Sequence, residues 1–234
     1  MDLTTDGESL ASNVYIVIPA YNEEDSIGDV VSSLRGAWRN IVVIDDGSAD
    51  MTAARARAAG AIVLRHPINR GQGAALQTGI TWSLARGASC IVTFDSDGQH
   101  LASDIDRLLA PILSGEADVV LGSRFLGSTE GMPLVRKMIL RMAIVFTRLT
   151  TGLPVTDAHN GLRAFRRSAA DRLHIRLDRM AHASEILDQI RAQGMRMKEA
   201  PVHIRYTSYS RQKGQSSAAA VRILLDYLIG RWFR

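Results

Sequence analysis

The chain has 234 residues, 46% of them hydrophobic and 22% charged, with six prolines, nineteen glycines and one cysteine, Cys90. This excludes a low-complexity or collagen-like chain, an intrachain disulfide framework and a thiolate zinc cluster within one chain. The net charge of +4 hides an asymmetry: residues 1–123 hold 8 Lys and Arg against 16 Asp and Glu, and residues 124–234 hold 20 against 8.

The first half predicts alternating strands and helices. Val14–Ile18 is a short β-rich apolar run ended by Pro19, a buried strand. Asn22–Gly36 reads as a helix with acidic residues in its first turn. Strands at 41–44, 61–64, 90–94 and 118–121 alternate with helices at 50–59, 73–85 and 102–113. Such spacing implies right-handed βαβ units and a mostly parallel sheet. The second half is less regular: a long apolar helix at 134–149, a short strand at 162–165, a helix at 183–193, an extended run at 195–206 and a closing helix at 218–232. In the extended run Val202, Ile204 and Tyr206 share one face, and His203 and Arg205 the other. No internal repeat or linker interrupts the chain. The expected organisation is a polar tail over 1–13 and one domain over 14–234, with an acidic half to 123 and a basic half from 124.

The longest uncharged run, Gly71 to Ala85, has fifteen residues and is broken by glycine, glutamine and threonine; a bilayer span needs about 20 mostly apolar residues. The first thirteen residues lack the cationic and apolar regions of a signal peptide. With a single cysteine, the expected location is the reducing cytoplasm. The basic half points to an anionic partner.

In an open parallel sheet, ligands bind beyond the carboxyl ends of the strands. Here those ends read IPAYNEE, DDGS, DSDGQ and GSRF. Asp95 and Asp97, flanking Ser96, stand i and i+2 on an extended segment, about 6.6 Å apart along the chain. Their carboxylates repel unless a cation lies between or beside them, which suits Mg2+ or Mn2+ completed by water and phosphate; the alternative is a turn before Gly98 held by aspartate hydrogen bonds. Asp45 and Asp46 are either a turn and helix cap or acceptors for a base or ribose. The stretch from Asn69 to Ala75 has GxG but no third glycine in register, which argues against a dinucleotide site; its glycines suit a close backbone approach to a ligand before a helix.

Together IPAYNEE, VIDDGSAD, NRGQGAALQTGI, FDSDGQH, GSRF, DAHNGLRAF and HASEIL, with YTSYSRQKGQS near the C-terminus, resemble the family 2 glycosyltransferases of the GT-A fold over nearly the whole chain. Within that family the chain is similar to bacterial relatives of dolichyl-phosphate mannose synthase. The resemblance implies an α/β GT-A fold with a mostly parallel sheet flanked by helices. It also implies a metal-dependent inverting transferase, moving a sugar from a nucleotide diphosphosugar to a lipid-linked acceptor or cell-surface glycan precursor. Pro19, Ala20, Tyr21 and Glu23 would line the nucleobase and ribose pocket. Asp45 or Asp46 would accept from base or sugar, with Arg70 and Gly73 nearby. Asp97 would be the direct metal ligand beside Asp95, with Ser96 and Gln99 close by. Arg124 would follow a strand end and meet a phosphate, and Arg211 and Lys213 would contact the diphosphate from a lid. Glu185 is the best match for the base, in an incomplete Glu-Asp pair, and Asp157 is the alternative; His182 is expected at an interface without catalytic duty. A phosphate acceptor would need no base.

Two other classes are weighed. A sugar-phosphate nucleotidyltransferase would carry a glycine-rich signature where this chain has PAYNEE. A non-enzymatic nucleotide- or nucleic-acid-binding module would use the basic half, but no stacking aromatics are interleaved with the basic residues as single-strand binders need. Peripheral contact with an anionic membrane is a further expectation, from the basic, one-sided helices at 134–149 and 218–232.

Overall fold

The computed structural model describes residues 13–158, 160–177 and 181–206. Seven strands form one sheet: β1 (Val14–Ala20), β2 (Asn40–Asp45), β3 (Ile62–Arg65), β4 (Cys90–Thr93), β5 (Val119–Glu130), β6 (Arg163–Arg166) and β7 (Met197–Arg205). Their order is β3-β2-β1-β4-β6-β5-β7. Only β6 runs against its neighbours β4 and β5; the other pairings are parallel.

The helices are α1 (Ile27–Arg35), α2 (Thr52–Ala58), α3 (Gln72–Ala85), α4 (Ile105–Leu113), α5 (Leu134–Thr151), the single turn α6 (Arg167–Ala170) and α7 (Ala181–Ala192). They cover the two faces of the sheet because alternate strand residues point to opposite sides. Ile16 and Ile18 of β1 join α1 and α4 in one core, while Tyr15 and Val17 join α3 and α7 in the other. Both strand faces are apolar, as a sheet covered on both sides requires.

The chain first builds outward from β1 to β2 and β3, then returns to place β4 on the other side of β1. The switch point therefore lies between the carboxyl ends of β1 and β4, where a crevice opens. Tyr21–Glu24 leave β1 there, and Asp95–Gln99 leave β4.

Several elements differ from the sequence expectation. β1 continues through Pro19, which pairs with Ile44. Val17 O accepts from Phe94 N–H on the β4 side, so Pro19, two residues on, faces the side where β4 has ended and needs no donor. The first helix begins only at Ile27, because Asn22 takes φ 52° and residues 21–26 form turns. β5 does not stop at Leu121 but runs to Glu130 along β7, with a register shift between Ser123 and Ser128. GSRF is thus inside a strand, at a bulge, and only three of the four expected polar strand ends are ends. The buried face of β7, Val202 and Ile204, followed by Tyr206, matches its alternation. The expected closing helix at 218–232 lies outside the described residues.

Candidate active site

The loop after β1 is stitched to the loop after β2. Asn22 N–H donates to Ser48 Oγ at 2.9 Å, and Ala49 N–H returns to Asn22 Oδ1 at 3.0 Å. Glu23 N–H donates to Thr52 Oγ1 at 2.8 Å, and Ser26 Oγ donates to Glu23 Oε2 at 2.8 Å. Gly47 completes the junction: its φ is +76°, and a Cβ there would lie 2.7 Å from the backbone of Ile68 and Asn69. Pro19 and Ala20 are buried in β1, Tyr21 is exposed at the lip, and Glu23 is partly buried.

Asp45 and Asp46 serve the protein first. Asp46 Oδ1 lies 2.7 Å from His66 Nδ1 and accepts Arg70 N–H at 3.0 Å, while Oδ2 accepts Gly71 N–H at 2.7 Å. Asp46 therefore holds the 69–71 loop. Asp45 is buried, with Oδ1 accepting Ser48 N–H at 2.9 Å and Oδ2 3.1 Å from Arg65 Nε. Arg65, which is exposed, also donates to Ser48 O at 2.8 Å. Gly73 is tight for a protein reason too: a Cβ there would lie 2.2 Å from Leu177 O. Arg70 itself is exposed.

Beyond β4, Asp95 and Asp97 occupy the crevice. His100 Nε2 donates to Asp95 Oδ2 at 2.9 Å, and Gln72 Nε2 reaches Oδ1 at 3.4 Å. Burial opposes ionisation of Asp95, but the His100 hydrogen bond and the charges of His100, Arg163 and His182 outweigh it and hold the carboxyl below its ordinary range. Asp97 is pushed up to about 6, first by burial and then by the charge of Asp95, with Glu23 adding to it. Its Oδ1 accepts Gln99 N–H at 3.0 Å, and Ser96 between the two aspartates is buried. A carboxylate whose ionisation is opposed by its neighbour's charge, with oxygen donors alone, fits a hard divalent cation. Among the described residues no three acidic, imidazole or thiol side chains form a full cage. Asp97, with Asp95 behind it, would hold such an ion while water and phosphate complete its shell.

The second half of the chain supplies the floor. Gly161 packs on the Asp95 carboxylate, and its carbonyl accepts Thr93 Oγ1 at 2.6 Å. Arg163 of β6 is buried, donating Nε to Asn160 O at 3.0 Å. Burial lowers its guanidinium to about 10 against the pull of Asp95 and Asp157. His182 of α7 is buried near the start of α3, where a Cβ on Gly73 would come 3.1 Å from it.

Arg124, Asp157 and Glu185 all engage partners within the protein. Arg124 is buried at the β5 bulge, inside the strand rather than after its end. Its Nε and backbone N–H both donate to Asp157 Oδ2, at 2.5 and 3.1 Å, and Nη1 donates to Tyr206 Oη at 2.9 Å. Asp157 raises the Arg124 guanidinium against the desolvation that would lower it. The pair is internal, with both side chains buried. Glu185 is buried, and its Oε2 accepts the N–H groups of Arg176 and Leu177 at 3.0 and 2.8 Å. It fastens the segment before α7. Arg211 and Lys213 lie outside the described residues.

Sequence reading passed over His100, Gln72, Gly161 and Arg163 as site residues. Each stands in a motif singled out above, but none shows a spacing that points to Asp95. A β-bridge between His100 and Ile204 and the insertion of β6 beside β4 bring two of them there.

The mostly parallel sheet, flanked by helices on both faces, is that of the GT-A fold. Residues 15–173 match the model of glycosyl transferase family 2, and the chain belongs to that family. It is 37% identical over 225 residues to the uncharacterized protein MJ1222 of Methanocaldococcus jannaschii, covering 94% of this chain and 93% of that one. It is 33% identical over 238 residues to the UDP-N-acetylglucosamine–dolichyl-phosphate N-acetylglucosaminyltransferase of Methanococcus voltae, covering 92% and 95%. Its fold is similar to glucosyl-3-phosphoglycerate synthase of Mycobacterium tuberculosis in complex with Mn2+ and UDP-glucose, with a TM-score of 0.73, 22% identity and coverage of 99% and 83%.

Proposed function

We propose that this chain transfers a sugar from a nucleoside diphosphate sugar to a lipid-linked phosphate, with inversion at the anomeric carbon. The observation that carries the acceptor class is the commitment of both candidate bases: Asp157 to Arg124, and Glu185 to the backbone of Arg176 and Leu177. A hydroxyl acceptor needs a positioned base, worth typically 10²–10⁴-fold. A phosphate oxygen is already anionic and needs none. The Methanococcus voltae relative, named for a dolichyl-phosphate acceptor, supports the same class.

The crevice orients the donor. The Tyr21–Glu23 loop and exposed Arg65 flank the nucleoside, and Asp95 is held in place by His100, Gln72 and Gly161. A bound Mg2+ or Mn2+ supplies Lewis-acid charge to the leaving diphosphate. The acceptor oxygen bonds to the anomeric carbon from the face opposite the leaving group; the bond to the diphosphate breaks and nucleoside diphosphate departs.

The test incubates the purified chain with Mn2+, a panel of nucleotide sugars, and either a polyprenyl phosphate or the matching polyprenol. Sugar on the phosphate alone is expected. Transfer to the alcohol at a comparable rate overturns the acceptor class, and no metal-dependent product or nucleoside diphosphate release with any donor overturns the transferase reading.

A further inference from the structure

His100 lies in the loop that leaves β4, and its side chain is buried. Its Nε2 donates to Asp95 Oδ2 at 2.9 Å. The other ring nitrogen, Nδ1, is buried with no hydrogen-bond partner. The ring stands edge-on to Phe94, with 5.5 Å between centroids and 64° between planes. A phenylalanine would suit that apolar contact and strand no nitrogen, since a buried polar atom without a partner destabilises the fold. What an imidazole adds at this place is the bond to Asp95, the ring's only hydrogen bond among the described residues.

Three groups touch the Asp95 carboxylate, and they differ in what they fix. Gly161 covers its flat side without a hydrogen bond. Gln72 Nε2 reaches Oδ1 only at 3.4 Å, past the range of about 2.7–3.2 Å usual for N–H···O. His100 donates at ordinary length, so it sets the rotation of the carboxylate about its Cβ–Cγ bond. The place of His100 is set in turn by β7. His100 bridges antiparallel to Ile204, and Gln99 O accepts Arg205 N–H at 3.0 Å. On its other side β7 pairs with β5, with Ile204 opposite Thr129 and Arg205 opposite Glu130. The last residues of β7 therefore join the loop after β4 to the extension of β5.

We infer that His100 is a positioning residue for the metal: docked on β7, it holds Asp95 in one orientation near Asp97, so that a divalent cation meets a carboxylate already turned. The inference rests on the proposed metal site and adds control from the basic half, because β7 decides where His100 sits. A ligand that is already hydrogen-bonded gives up little freedom when the ion arrives. Outer partners of this kind carry roughly 10–100-fold in metal affinity.

Calorimetry of Mn2+ titrated into the purified full chain, with no nucleotide sugar present, is the test. His100→Phe keeps a ring against Phe94 and removes the Nε2 donor; Mn2+ affinity should fall roughly 10–100-fold. His100→Gln carries an amide N–H to the same reach and should return affinity to within about threefold of the parent. In EDTA, His100→Phe should melt within roughly 3 °C of the parent, because one hydrogen bond and one stranded nitrogen are lost together. Asp95, which is partly exposed, can take water in place of the imidazole. Arg205→Pro removes the N–H that Gln99 O accepts and should weaken Mn2+ binding roughly 2–10-fold, the worth of one hydrogen bond. Arg205→Ala keeps that N–H and should bind like the parent. The positioning role is overturned if His100→Gln binds as weakly as His100→Phe, or if His100→Phe melts far below the parent in EDTA. Equal binding by Arg205→Pro and Arg205→Ala overturns the control from β7. A parent that binds no Mn2+ sinks the metal site and this inference with it; a parent that binds, beside His100→Phe that binds equally well, sinks the inference alone.

Discussion

Gly161 lies flat against the carboxylate of Asp95: a Cβ on the glycine would sit 2.2 Å from Oδ1 and 2.3 Å from Oδ2. The glycine is required by space, and the contact joins the DAHNG segment of the basic half to the DSD segment of the acidic half. Gly161→Ala is therefore expected to push Asp95 out of place without unfolding the sheet. A misplacement of about 1 Å costs on the order of 100-fold in rate. Metal-dependent turnover should fall at least that far, with a matching loss of Mn2+ affinity in calorimetry. An alanine variant with parent turnover would mean that Asp95 moves without consequence.

Asp97 governs how the metal-free protein responds to pH. Its folded pKa is raised from 3.8 to about 6, so the native state keeps a proton that the unfolded chain has already released. Stability contributed by that proton is complete below about pH 4 and is lost as pH rises through about 6. In EDTA, Tm should thus fall across that window, and Asp97→Asn should remove the fall. At pH 7 the variant should melt roughly 3–8 °C above the parent, for a gain of about 1–3 kcal/mol. Added Mn2+ should raise the parent and not the variant. Identical melting profiles for both chains in EDTA would contradict this account.

The Arg124–Asp157 pair is buried on both sides, so removing one partner leaves an uncompensated charge. Asp157→Asn should cost about 3–5 kcal/mol of stability, and Tm should fall by roughly 6–15 °C. The double change Arg124→Met with Asp157→Leu should recover much of it. A single variant that keeps the parent Tm and loses all turnover would instead make Asp157 a catalytic group.

Glu185→Gln keeps an acceptor oxygen for the N–H groups of Arg176 and Leu177. If the acceptor is a phosphate, turnover should stay within about threefold of the parent. A loss of 10²–10⁴-fold at unchanged donor affinity would restore Glu185 as a general base and move the acceptor to a hydroxyl.

The alternation of strands and helices through residue 113 was legible because it rests on local signals: short β-rich apolar runs, glycines at helix ends and a period of 3.6 between. The placement of Asp95 and Asp97 just beyond β4 was legible for the same reason, since DSD shortly after a β-rich run is a property of one short stretch. The continuation of β5 to Glu130 was not legible. Its outer part pairs with β7, more than seventy residues along the chain, and across a bulge that no local pattern marks.

The sequence by itself determined which residue types stand at the strand ends, and through them the family. Only the tertiary structure decided which partners those groups take within the protein. Asp46 is taken by Arg70 and Gly71, twenty-four and twenty-five residues away. Asp157 is taken by Arg124, thirty-three away, and Arg124 in turn by Tyr206, eighty-two away. A buried carboxylate or guanidinium must find a partner wherever the fold brings one. That choice depends on distances between strands rather than on spacing along them.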